Sequence, residues 1–278
     1  GSAQGGLGSR LERAQTLAPS PGRSNEKVNH LLPDTPDLVL IALTVVVAYS
    51  VFGITGFGAA MMAVPVLVHV LPLSTVVPMI LMNDLVATLA VGLRERHRLD
   101  RAELLRLVLP MLLGVCIGVK ALSLLPASIL LMALGLFVVA HSIWGLWGQR
   151  APVQRIAAGW AYVAGTLGGV FGAAFGTGGP VYTVYLMRRI DAAETLRATM
   201  AVVILMSAVL RLSVFGATGM LLDPQLHMLA LGLVPFCLLG VWMGSKARKH
   251  LSPVRLRRSM LQLLLFGGAS VIYRAWVT

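Results

Sequence analysis

Two ionisable residues stand inside long apolar runs of this sequence. Asp84, next to Asn83, lies at the middle of the run 74–93, and Arg211 lies towards one end of the run 195–216. A carboxylate or guanidinium at membrane depth is costly and is as a rule functional. Asp84 has the chemistry of a proton carrier or of a partner for a base; a structural hydrogen bond between helices is an equal reading. Arg211 can contact an anion or pair with Asp84. It can also stretch its stem so that the guanidinium reaches the headgroups, and its position near a segment end favours this last reading.

The other residues able to bind a ligand belong to two glycine-rich breaks. One is Gly53-Ile54-Thr55-Gly56-Phe57-Gly58 and the other runs from Gly172 through Phe175-Gly176-Thr177-Gly178-Gly179-Pro180. Each separates two apolar segments. Glycine adopts φ > 0 and lets the backbone approach a ligand. A helix starting after each break would present free N–H groups and the positive end of its dipole, which together attract anions. Pro180 suits a first helical turn, where its missing N–H costs nothing. Thr55 and Thr177 can add hydroxyl donors. The expected binding set is therefore Thr55, Gly56, Gly58, Asn83, Gly176, Thr177, Gly178, Gly179, Pro180 and Arg211, with Asp84 as the proton-coupling candidate. The competing reading is that the glycines only let helices pack closely.

No Ser/His/Asp set, metalloprotease pattern, Walker loop or dinucleotide fingerprint is present, so no catalytic residue and no cofactor are expected. Cys116 and Cys237 stand singly in apolar runs and form neither a disulfide framework nor a metal site. Lys120, Lys246, His69 and His141 read as helix-end or packing residues.

These groups must be positioned by membrane helices. The chain has 278 residues, 57% hydrophobic and 12% charged. A soluble domain has about 25% charged residues, so lipid is the solvent this composition fits. Ten apolar segments fall into two sets of five: 38–52, 59–72, 74–93, 104–122 and 127–147, then 156–171, 179–187, 195–216, 225–244 and 259–277. In each set the first two are short. Residues 1–37 are polar, open with a Gly-Ser that looks like a cloning scar, and read as a disordered tail.

The sets resemble one another. Val51-Phe52-Gly53 echoes Val170-Phe171-Gly172. Pro110, Gly114, Gly118, Lys120 and Ala121 recur as Pro235, Gly240, Gly244, Lys246 and Ala247, the glycines, lysine and alanine at identical spacing. The 23 Lys and Arg against 11 Asp and Glu cluster between apolar runs, which argues for cytoplasmic loops rather than nucleic acid. Arg94, Arg96, Arg98, Arg101 and Arg106 mark one such loop. Arg150 with Arg155, then Arg188 with Arg189 and Arg197, mark two more. Lys246, Arg248, Lys249, Arg255, Arg257 and Arg258 mark the last. Two successive inside loops flank 156–187, so that pair must enter and return on one side. Treating each pair as one broken helix would put six bases on the wrong face. With three spanning helices after each pair, the halves are inverted. The expected fold is an all-α, polytopic helical membrane protein of two inverted repeats, 38–148 and 149–278. Each repeat is a glycine-broken hairpin plus three transmembrane helices, and both termini lie outside. Inverted repeats with broken helices are a transporter architecture with a midplane site.

The runs Gly56-Phe57-Gly58-Ala59-Ala60-Met61-Met62-Ala63-Val64-Pro65 and Phe175-Gly176-Thr177-Gly178-Gly179-Pro180 resemble the sulfite exporter TauE/SafE family, and the resemblance extends over about residues 38–277. It implies a bacterial inner-membrane carrier that exports small anions such as sulfite, sulfoacetate or other organosulfonates, with both glycine runs lining the path. Ala59 and Ala60 depart from the family's pattern, standing where further glycines are common. The partners expected are the lipid bilayer, a small anion and protons as coupling ion, with a homodimer left open. An uncoupled anion channel is the alternative, and an intramembrane enzyme or assembly factor the weaker one.

Overall fold

The computed structural model of the protein describes residues 35–56, 58–92, 99–147, 155–247 and 253–277. Most of the tail expected over 1–37 lies outside these residues, as do Phe57, Arg94, Arg96, Arg98, Arg150, Arg248 and Lys249. The chain divides into two units, Gly1–Leu38 and Val39–Thr278. Of the first, the described part is the start of helix α1; the fold below is that of the second.

Ten helices are present among the described residues: α1 Thr35–Thr55, α2 Ala59–Leu67, α3 Leu73–Gly92, α4 Arg101–Leu124, α5 Ala127–Trp147, α6 Trp160–Phe175, α7 Gly179–Met187, α8 Ala193–Ala217, α9 Pro224–Ala247 and α10 Pro253–Val277. They match the ten apolar segments one for one. Seven, namely α1, α3, α4, α5, α8, α9 and α10, are long and apolar enough to cross a membrane. The protein is an all-α, polytopic membrane protein.

One expectation is corrected. The segment read as a short 38–52 is a helix of 21 residues, about 31 Å long at 1.5 Å per residue, which is spanning length. The polar residues before Leu38 and the glycine after Phe52 hid its ends, because helix continues wherever backbone bonds do. Helices α2 and α7 are truly short, nine residues each, or about 13 Å.

Helix α7 doubles back along α6. A Cβ on Gly168 of α6 would strike the Tyr182 ring of α7, and one on Gly178 would lie 3.2 Å from the Cα of Gly172. The two helices form a hairpin.

Small residues decide which helices meet, as they do in lipid, where no hydrophobic force distinguishes a neighbour from the solvent. A Cβ on Gly118 of α4 would sit 2.6 Å from the Val170 carbonyl of α6, and one on Gly240 of α9 would sit 2.6 Å from the Val46 carbonyl of α1. Gly114 presses on Thr166 of α6, and Gly244 presses on Ser50 of α1. Thus α4 packs on α6 as α9 packs on α1. Helix α5 pairs with α10, where a Cβ on Gly135 would lie 3.0 Å from the Gly268 carbonyl.

Candidate functional site

The two glycine breaks meet. Helix α2 starts after Gly58, whose φ of 92° needs glycine. Helix α6 ends at Gly176, φ 72°, whose N–H bonds the Gly172 carbonyl at 2.9 Å. A Cβ on Gly176 would lie 2.8 Å from the Cβ of Ala60, so the end of one hairpin's first helix touches the start of the other's second. Between them lies a cavity of about 30 Å³, lined by Phe52, Gly58, Ala59, Ala60, Asp84, Gly176, Gly178, Gly179, Ile204, Ser207 and Arg211. That is room for about two waters or a compact polar head. The first residues of both α2 and α7 stand in this wall, and the N–H groups of a first helical turn have no partner within their own helix.

Asp84 and Arg211 are the charged residues of the lining. Both are buried. The Asp84 carboxylate accepts the Tyr49 hydroxyl of α1 at 2.8 Å. The Arg211 guanidinium donates from Nη1 to the Gly172 carbonyl at 3.1 Å and from Nε to the Ser207 carbonyl at 3.3 Å. No hydrogen bond or ion pair within 4.0 Å joins the two side chains among the described residues. Arg211 is 4% exposed, so the preferred expectation that it reaches the headgroups is overturned. The C-terminal carbonyls of α6 at the glycine break each accept one capping N–H and keep a second lone pair, so they offer the guanidinium acceptors and the negative end of a helix dipole nearer than any headgroup.

The remaining expected residues do not line the cavity. Thr55 donates to the Val51 carbonyl at 2.9 Å and Thr177 to the Phe171 carbonyl at 3.4 Å, one helical turn or so back. Such local bonds take up a threonine hydroxyl wherever a carbonyl is left open. Gly56, φ 83°, makes the turn by which α1 ends, its N–H bonding the Phe52 carbonyl at 2.6 Å. Pro180 is buried at the first turn of α7. Asn83 turns towards α9, donating to the Met79 and Ala230 carbonyls at 3.1 and 3.3 Å, while the buried Cys237 thiol approaches the Asn83 carbonyl at 3.6 Å. Asn83 and Cys237 therefore tie α3 to α9.

Sequence reasoning missed Tyr49, Ser207 and Ile204. Ser207 carried a signal, since it precedes Arg211 by four residues on one helix face. Tyr49 carried none; only packing brings α1 to α3.

It also missed Glu103. This carboxylate is in the first turn of α4, behind the capping Asp100, whose side chain accepts the N–H groups of Ala102 and Glu103 at 3.1 Å each. Glu103 is 2% exposed. Its Oε1 accepts Arg106 Nη1 at 2.8 Å, Arg189 Nε at 2.9 Å and Arg189 Nη2 at 2.7 Å, and its Oε2 accepts the Tyr185 hydroxyl. Arg189 also donates to the Ile156 carbonyl at 2.9 Å, and Arg155 pairs with Asp191. Three basic connections assigned to one face by loop charge are thus joined by contact. Elsewhere Arg274 donates to the Val68 carbonyl and His69 bonds Ser270 at 2.9 Å.

Glu103→Ala removes the carboxylate that accepts from Arg106, Arg189 and Tyr185, and Arg189 keeps only the Ile156 carbonyl. Because the side chains of Arg189 and Arg106 are 24% and 44% exposed, water recovers part of the loss. A destabilisation of about 2 kcal/mol is expected. Thermal unfolding in detergent measures it, and Glu103→Gln should lose less.

The Sulfite exporter TauE/SafE family model matches residues 41–271 of this chain. A protein of Comamonas testosteroni described as a probable inner membrane transporter protein, TsaS, is 31% identical over 176 residues, which is 61% of this chain and 71% of that one. No solved structure matches the chain.

Proposed function

Because this chain belongs to the sulfite exporter TauE/SafE family, we propose that it is a secondary transporter of the bacterial inner membrane that moves small anions, sulfite and organosulfonates being the class, outward. It is a membrane transporter rather than an enzyme. The observation that carries the finer reading is the cavity at which both glycine breaks, Asp84 and Arg211 converge. A cation and two helix N-termini around a buried space form a receptor for a compact anion. Gly58, Gly176, Gly178 and Gly179 present backbone, Arg211 supplies the charge, and Asp84 carries a coupling proton.

Residues 38–148 and 149–278 are read as two inverted repeats after the tail 1–37, and both termini are read as periplasmic. The matched packing of α4 on α6 and of α9 on α1 supports the repeat. The contact among residues 100–106, 155–158 and 185–191 supports a shared face for the basic connections. Access would alternate by rocking of the repeats or by movement of the hairpins, α7 being short enough to move as a unit.

Radiolabelled sulfite flux in proteoliposomes tests the reading, and the expected result is saturable flux. A Cβ at Gly58 meets nothing within 4 Å, so Gly58→Val adds its bulk in open space beside the cavity. The strain of a branched side chain at φ 92° is about 3 kcal/mol, the upper end for a non-glycine residue at φ > 0. The variant should fold and carry no more than a tenth or so of the wild-type flux, the equivalent of about 1.4 kcal/mol. Wild-type flux through folded Gly58→Val would overturn the site.

A further inference from the structure

The Tyr49 hydroxyl lies between two acceptors. It is 2.8 Å from Asp84 Oδ1 and 3.1 Å from the Ile80 carbonyl oxygen, and the residue is 0% exposed. A phenol has one proton, so it donates to one of the two at a time. When Asp84 is ionised, Tyr49 donates to the carboxylate. When Asp84 holds a proton, the acid donates to the Tyr49 oxygen and the phenol turns to Ile80. Both states are hydrogen-bonded throughout, and they differ by rotation of one hydroxyl. A buried carboxyl with only a fixed donor would leave an orphan in its protonated state, which is expensive away from water.

Charge in the cavity adds a second constraint. Asp84 and Arg211 are its charged lining residues. The titratable and charged groups acting on Asp84 are Tyr49 of α1, Arg211 of α8 and Cys237 of α9, while Tyr182 of α7 faces Arg211. With both lining charges present the empty site is neutral. An anion beside ionised Asp84 would put two like charges together in a low dielectric. A monoanion together with a proton on Asp84 restores neutrality, whereas a dianion leaves one charge uncompensated.

Resting on the reading of this cavity as the anion site, we propose that Tyr49 is the rotor that lets Asp84 take up and release a proton, and that each transported ion is a monoanion accompanied by one proton. The proton comes from water on the side of entry, resides on Asp84 Oδ1 while the anion is bound, and leaves to water on the side of exit. Empty and loaded sites carry the same charge, so the cycle is electroneutral. Direction follows the product of the two gradients. Net export then needs anion accumulated inside beyond the opposing proton gradient.

The experiment uses proteoliposomes with methanesulfonate as the monoanion, sulfate as the dianion, an enclosed pH dye and a potassium–valinomycin potential. One proton should enter per methanesulfonate, imposed potential should leave the rate unchanged, and sulfate should neither bind nor move. Tyr49→Phe keeps the ring beside Phe52 and removes the rotor. Its rate should fall about tenfold, the equivalent of one buried hydrogen bond, and lose most of its dependence on outside pH. A purely structural tyrosine would lower the amount of folded protein and leave that dependence intact. Methanesulfonate flux that responds to potential without proton entry, or an unaltered pH profile in Tyr49→Phe, overturns the inference and leaves the anion site standing. Absence of binding and flux for sulfite and both probe anions overturns the site and the inference together.

Discussion

Arg211→Gln should reduce anion transport by at least about thirtyfold, since truncating a buried, hydrogen-bonded charge costs about 2–5 kcal/mol. The guanidinium is the positive side chain of the cavity lining and lies beside Ser207 and the broken end of α6. Its loss removes the counter-charge proposed for the anion and also leaves Asp84 without a compensating neighbour, so folded yield should fall as well. The two effects can be separated. The double variant Arg211→Gln with Asp84→Asn has no lone buried charge and should recover yield, yet anion binding by calorimetry should stay absent. Arg211→Lys keeps the charge on a compact ammonium and loses the planar fork. It should transport at an intermediate rate. Wild-type affinity in folded Arg211→Gln would remove this residue from the binding site.

Gly244→Ala should destabilise the fold by about 3 kcal/mol or more, because overpacking alone costs about 1–3 kcal/mol and here the obstacle is backbone. A Cβ at this position would run into the carbonyl of Ser50 and lie 2.7 Å from its carbon and 3.0 Å from its Cα. Helices α9 and α1 must separate to admit it, and every contact along their seam weakens. Gly118→Ala should behave alike at the seam of α4 and α6. Gly232 supplies the control on the same helix as Gly244, since a Cβ there meets nothing within 4 Å. Gly232→Ala should be neutral or stabilising through helix propensity. Thermal unfolding in detergent reads all three.

The same steric argument separates Gly58 from Gly178, two of the four glycines of the cavity wall. A Cβ on Gly178 would strike the Gly168 carbonyl, so bulk at Gly178 disrupts the hairpin itself. Gly58 has open space, and its variant reports on the site. Both read alike in the sequence, as glycine in a break.

Much of the fold was legible in the chain. Hydropathy located all ten helices, because lipid solvation is a sum over the residues of each segment and depends on nothing distant. Glycine and proline marked the two breaks, because φ > 0 and a missing N–H are local properties. Loop charge grouped four basic connections, three of which Glu103, Arg189 and the Arg155–Asp191 pair join. The end of α1 was misjudged by a few residues, since helical bonds ignore polarity.

The site was legible only in part. Gly58, Asp84, Gly176, Gly178, Gly179 and Arg211 do face one cavity, while the hydroxyls of Thr55 and Thr177 and the amide nitrogen of Asn83 donate to carbonyls. Sequence alone determined that a carboxylate and a guanidinium stand within apolar runs, and that two broken segments accompany them. Tertiary structure decided where those groups point. The partner of Asp84 is 35 residues away and the acceptor of Arg211 is 39 residues away. Such meetings depend on which glycine seams bring helices together, and in lipid that choice rests on shape rather than on hydropathy.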